Sequence, residues 1–213
     1  MKFFKKMAGT GENAINIRED VAQIIEDVRR RGDQALKELT HRYDRVMLPD
    51  LRVSQEAVKK AYNQIDEKTV SCLRLAARRI RSFAEKQARC LLPLEYESSP
   101  GVLLGHRLIP VSSCGVYVPS GRYPLPSSAL MSIIPARVAG VGRIAACSPP
   151  VKAFGGIHPA VLAAMDIAGA DEIYCLEVLP GCGRLRLGNG KRGPGGYDCW
   201  SGKCLCNGSQ KAG

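Results

Sequence analysis

Apolar side chains recur at helical spacing along the first 90 residues. Val21, Ile24, Ile25 and Val28 fall at i, i+3, i+4 and i+7, one face of a helix that starts near Arg18. Gly32 reads as its stop and Asp33 as the cap of a second helix, with Ala35, Leu36, Leu39 and Tyr43 facing inward. Ser54 caps a third helix carrying Val58, Ala61 and Ile65. A long fourth helix runs from Asp66 to Ala88 with Val70, Leu73, Ala76, Ala77, Ile80 and Phe83 on its buried side. Residues 1–92 are therefore expected to form a helical region.

The period then changes. Gly101 to Pro110 (GVLLGHRLIP) and Cys114 to Val118 (CGVYV) read as strands. A turn-rich stretch, Pro119 to Ser128, ends in serines suited to capping a helix over Ala129 to Ala139. Arg143 to Ser148 is short and apolar enough for a buried strand. Ile157 to Ala168 reads as a helix with Val161, Leu162 and Met165 inward, and Asp171 to Leu176 as a last strand. Strand, helix, strand, helix, strand is the mark of parallel crossovers. The predicted fold class is α/β: a helical N-terminal region followed by an incomplete Rossmann-like parallel βαβαβ sheet over residues 93–176, a partial nucleotide-binding domain. A sheet ending after three strands would leave an exposed edge. Residues 177–213 have no hydrophobic period, fit neither strand nor helix, and are expected to be disordered.

Charge and composition narrow the classes of function. The net charge is +11 over 213 residues, of which residues 177–213 carry +4. In the remainder, Arg29, Arg30, Arg31, Arg78, Arg79 and Arg81 sit in amphipathic helical patterns, so solvated helix faces account for them and no nucleic-acid partner is expected. No run of 18 apolar residues exists, and the basic Met1-Lys2-Phe3-Phe4-Lys5-Lys6 has no apolar segment behind it. No membrane span and a cytoplasmic location are expected. Of nine cysteines, Cys72, Cys90, Cys114, Cys147 and Cys175 are scattered through apolar segments as small buried hydrophobes are. Cys182, Cys199, Cys204 and Cys206 crowd the tail, where only Cys204-x-Cys206 approaches a paired zinc spacing.

Candidate chemistry is sparse. No GxGxxG or Walker fingerprint lies at a strand-to-helix junction. The nearest substitute is Gly115-Val116-Tyr117-Val118-Pro119-Ser120-Gly121, a strand running into a Gly/Pro/Ser loop. Ligands of open α/β sheets bind beyond the carboxyl ends of strands, where this loop would lie. Tyr117 there is either a cofactor platform, ring on a flat ligand and hydroxyl on a polar edge, or a core tyrosine before a turn. His41, His106 and His158 fall in different elements and read as structural or solvated. No catalytic acid or base stands out.

At this loop the chain resembles a known family. GVYVPSGRYPLPSSALMSIIPARVAGVGRIAACSPP (residues 115–150) is similar to the histidinol dehydrogenase segment that reads G-x-Y-V-P-G-G, then a Ser-x-x-x-M helix, P-A-x-x-A-G-V and C-S-P-P, with Ser120 in place of the first glycine of the pair. RRRGDQALKELTHRYD (29–44) resembles the family's early helix pair, and AAMDIAGADEIYCL (163–176) the approach to its next loop. The resemblance spans residues 15–176 and implies a homodimeric enzyme with bound zinc. It implies oxidation of L-histidinol to L-histidine in two NAD-dependent steps through an aldehyde. The family's NAD-contacting tyrosine falls on Tyr117. Its Glu-His acid/base pair and its Gln, His and Asp zinc ligands lie further along, so no catalytic or metal residue is assigned here.

After Leu176 the family continues with G-G-x-Q-A, which this chain lacks. Back-translated from Pro180 and read one base later, the tail can become QAVAAFALGTE, and from Tyr197 MIVGPGNAYVTEAKRQ, the family's next two motifs in order. A one-base frameshift near the codon for Leu176 is therefore expected, and with it a chain inactive by itself. The alternative is a fragment of a paralogous NAD-dependent dehydrogenase acting on another small alcohol, consistent with Arg122-Tyr123-Pro124-Leu125-Pro126 after the loop.

Overall fold

The computed structural model describes residues 12–120, 123–176, 197–200 and 203–204. Four helices come first: α1 (Glu12–Arg31), α2 (Asp33–Asp44), α3 (Gln55–Asn63) and α4 (Glu67–Arg89). Two begin on side-chain caps, of which the sequence announces the first. Ser54 Oγ accepts the Ala57 N–H at 3.2 Å, and Asp66 Oδ1 accepts that of Thr69 at 2.7 Å. The α1–α2 junction differs from expectation. Asp33 is already helical and the cap is Gly32, at φ 61°, with no side-chain bond. That left-handed turn joins the helices tightly and suits a residue without Cβ.

Burial follows the predicted faces with two exceptions. Ala35, Leu36, Val58, Ala61, Leu73 and Ala77 are buried, whereas Tyr43 is 56% and Phe83 64% exposed. Ala84 takes the buried position beside Phe83. Cys72 and Cys90 also face solvent, so only Cys114, Cys147 and Cys175 behave as buried small hydrophobes.

The segment GVLLGH forms a strand as expected, outside the main sheet. It is β2 (Val102–His106), paired antiparallel with β1 (Leu94–Ser99), which periodicity did not reveal. The two make a separate hairpin whose every residue is exposed. The main sheet follows: β3 (Ser113–Tyr117), α5 (Pro126–Val138), β4 (Arg143–Ser148), α6 (Pro159–Ala168) and β5 (Glu172–Cys175). All three strands are parallel, in register from Ser113↔Arg143 to Tyr117↔Cys147 and from Ala145↔Glu172 to Ser148↔Cys175. The serines before α5 do not cap it. Its cap is Leu125, with Pro126 at the first position, and Ser127 and Ser128 lie inside the first turn.

The tail adds strands where none was expected. β6 (Tyr197–Trp200) pairs parallel with β3, and β7 (Lys203–Cys204) pairs antiparallel with β6, giving the order β5-β4-β3-β6-β7. Its other residues, 177–196, 201–202 and 205–213, lie outside the described residues, and so does the disorder expected of them. The predicted bare edge at β3 is thus covered by β6.

Both faces of β3–β5 are buried, as parallel sheets require. On one face Cys114, Val116, Val118, Ile144, Ala146, Ile173 and Cys175 meet Val58, Leu73 and Ala77 together with α5 and α6. On the other, Ala145, Cys147, Tyr174 and Leu176 meet Val28, Ala35, Leu36 and Leu51. The connection between α2 and α3 also pairs with the outer edge of β5: Val53 N–H donates to Ile173 O and Cys175 N–H to Leu51 O, each at 2.8 Å.

Candidate functional site at the carboxyl ends of the parallel strands

The chain passes β3, β4 and β5 in one lateral direction, then returns to place β6 on the other side of β3. Connections that diverge from neighbouring parallel strands leave a crevice at their carboxyl ends, the usual ligand position in such sheets. Tyr117 ends β3 opposite Cys147, half-buried, with its body against the face that holds Leu36 and Leu51. Val118 is fully buried and its N–H donates to Cys147 O at 2.8 Å. The loop then folds back on itself through a Ser120↔Pro124 bridge before α5 begins.

Three buried hydroxyls in this part of the molecule have no hydrogen-bond partner. Ser120 Oγ lies in the loop after β3, Ser148 Oγ at the end of β4, and Thr40 Oγ1 in α2 one turn beyond Leu36. Ser120 is 3% and Ser148 0% exposed. Leaving a buried hydroxyl unmatched costs about 1–3 kcal/mol each, so the two serines at the carboxyl ends of β3 and β4 are chemically meaningful. Asp44 lies a further turn along α2. Burial, and secondarily the Asp44 charge, push the Cys175 thiol up to about 12. Cys175 is therefore a protonated packing group and no nucleophile.

The histidines stay apart, as expected. His158 caps α6, its Nδ1 accepting the Ala160 N–H at 3.2 Å, and burial lowers its pKa, which keeps the ring neutral for that role. His106 Nε2 lies 2.8 Å from Leu92 O, and His41 is in the last turn of α2. Among the described residues, no three His, Cys, Asp or Glu side chains gather in a way that could hold a metal ion. Zinc therefore does not fit the described residues. Cys199 and Cys204 are cross-strand partners in β6 and β7, while Cys182 and Cys206 lie outside the described residues.

A cleft of about 260 Å³, bordered by Asp50, Arg52, Ser54, Asp166 and Glu172, sits at the amino end of β5. The charged groups there serve the fold. Arg143 grips Glu172 through two bonds of 3.1 and 2.5 Å, Tyr174 donates to the same carboxylate at 2.7 Å, and Arg137 pairs with Asp171 at 2.6 Å.

The family model described as histidinol dehydrogenase matches residues 8–182. The chain belongs to the histidinol dehydrogenase family. That match begins seven residues before the resemblance seen in the sequence and ends six residues after Leu176. A histidinol dehydrogenase of Methanosarcina mazei is 38% identical over 187 residues, covering 86% of this chain and 42% of the relative. A "Histidinol dehydrogenase homolog" of Shouchella clausii is 40% identical over 160 residues, 75% of this chain and 37% of its own length. The crystal structure of histidinol dehydrogenase from Elizabethkingia anophelis superposes with a TM-score of 0.75 at 30% identity, over 86% of this chain and 41% of that one. The chain thus spans about two fifths of the relatives it matches. Tyr117, Ser120 and Ser148 all lie within the family match.

Proposed function

We propose that this chain is the front portion of a zinc- and NAD-dependent histidinol dehydrogenase, whose whole enzyme oxidises L-histidinol to L-histidine as a homodimer. The observation that carries the reading is the family match over residues 8–182. Support for the cofactor comes from the carboxyl end of β3, the usual ligand position in such sheets, where Tyr117 offers a half-buried ring at the point where the strand order reverses. Three buried hydroxyls without partners fit a ligand rich in hydrogen-bonding groups. When bound, the dinucleotide supplies the hydride acceptor. Residues of this chain position it and shield it from water.

The chain as given does not complete the oxidation by itself. This is supported by its span of about two fifths of its relatives. Support also comes from the loss of family resemblance after residue 182, where a one-base shift would restore family motifs. Accurate sequencing of the codons for residues 174–182 and several hundred bases beyond tests it. A missing or extra base followed by family sequence is the expected result; a confirmed frame with nothing family-like downstream overturns it. A second reading, a paralogue acting on another small alcohol, is favoured by relatives named only as homologs, including "Histidinol dehydrogenase homolog 1" of Mesorhizobium japonicum at 42% identity. Substrate profiling of the frame-restored protein separates the two.

A further inference from the structure

We propose that the hydroxyls of Ser120 and Ser148 hydrogen-bond the sugar–phosphate backbone of the dinucleotide, an assignment that rests on the dinucleotide reading above. Both side chains are more than nine-tenths buried, and neither hydroxyl has a partner. Elsewhere in the molecule Ser54, Asp66 and His158 each satisfy a backbone N–H. An unmatched hydroxyl at the end of β4 and another in the loop just after β3 point to a partner that is not part of the protein.

Their placement says what kind of partner. Ser148 follows Ile144 and Ala146 at the period of two, so it belongs to the sheet face that packs on α5 and α6. Val118, tied to Cys147 by its N–H, lies on that same face, and Ser120 is two residues further along. The Ser120↔Pro124 bridge brings the loop back to the start of α5, a 13-residue helix whose cap, Leu125, makes no side-chain bond to its first amides. A group laid across the ends of β3 and β4 thus meets two hydroxyls and lies near a helix N-terminus that lacks a side-chain cap. A hydroxyl donates one bond and accepts others, so it can serve a phosphate oxygen or a ribose hydroxyl. The uncapped amides favour the anionic portion. Tyr117, on the opposite face of the same strand end, is left for a ring.

The test is titration of NAD into the whole chain, wild type beside Ser120→Ala, Ser148→Ala and the double variant, followed by ligand-observed NMR. Thermal melts without ligand are recorded in parallel, and adenine, which lacks both ribose and phosphate, is titrated as a further probe. Each single variant is expected to raise the Kd for NAD about 3–10-fold, the value of one lost hydrogen bond, and the double variant more. Adenine is expected to bind all four proteins alike. Melting without ligand is expected to stay unchanged or rise, because each substitution removes an unmatched polar group. A lowered melting temperature with weakened binding would mean that the hydroxyls hold the fold together, and would overturn the proposal. NAD binding equal in all four proteins would overturn it too, while leaving the dinucleotide reading intact. Wild-type chain that fails to bind NAD would remove both.

Discussion

The hairpin β1–β2 and the sheet β3–β5 hold similar kinds of residue and have opposite fates. The hairpin carries Leu94, Tyr96, Val102, Leu103 and Leu104, all exposed. The sheet carries Val116, Ile144, Ala146 and Ile173, all buried, with helices on both faces. Each region also has one Arg–Glu pair. Arg143 and Glu172 are joined by two bonds across β4 and β5, with side chains 28% and 16% exposed, whereas Arg107 and Glu95 meet at 3.7 Å in open solvent. The difference teaches that apolar content and charge pairing gain energetic weight only where neighbouring layers exclude water.

The strongest way to break that contrast is to delete a buried side chain. Ile144→Ala is expected to cost about 2–5 kcal/mol by denaturant unfolding. Leu103→Ala in the hairpin is expected to stay within about 0.5 kcal/mol. Equal losses would mean that the hairpin is packed in solution. The second test uses the ion pairs. Arg143→Ala strands a partly buried carboxylate and is expected to cost about 1–3 kcal/mol, while Arg107→Ala costs nothing measurable.

Acid titration sharpens the same pair. Burial pushes the Glu172 pKa up, but the hydrogen bonds from Arg143 and Tyr174 outweigh it, and the net shift is downward. A lowered folded pKa contributes stability that is present above the unfolded value, 4.5, and is lost as pH falls through the folded one. Stability of the wild type should therefore drop below about pH 4.5 more steeply than that of Glu172→Gln, measured as melting temperature against pH. Parallel curves would remove Glu172 from the account. Smallest in effect, Ser54→Ala removes the α3 cap and is expected to cost about 1 kcal/mol, with helix content by circular dichroism otherwise kept.

Features written in local chemistry were legible in the chain. The cap Ser54, the buried strand Arg143–Ser148 and the crossover order followed from residue type and period alone. Whatever depends on a distant partner was not. Strand GVLLGH was legible, but its partner Leu94–Ser99 was not. Tyr43 and Phe83 sit at helical spacing yet point outward, because small residues such as Ala84 fill the narrow contact with the next layer. Tail residues 197–200 carry no strand period and still pair with β3, since an open edge supplies the hydrogen bonds. At the candidate site, Tyr117 was visible through its loop. Ser148 and Thr40 were not, because an unmatched hydroxyl is a property of surroundings rather than of sequence.

The pairing of Leu51–Val53 with β5 also has a consequence in time. Val53 gives its N–H to Ile173, so its partner leaves the ribosome about 120 residues later. At about 5–20 residues per second, that interval is on the order of 6–24 s. During it α1 to α4 are complete while the strand that Leu51–Val53 borders does not yet exist. The connection between the early helices α2 and α3 thus waits for β5 before its backbone pairing can form.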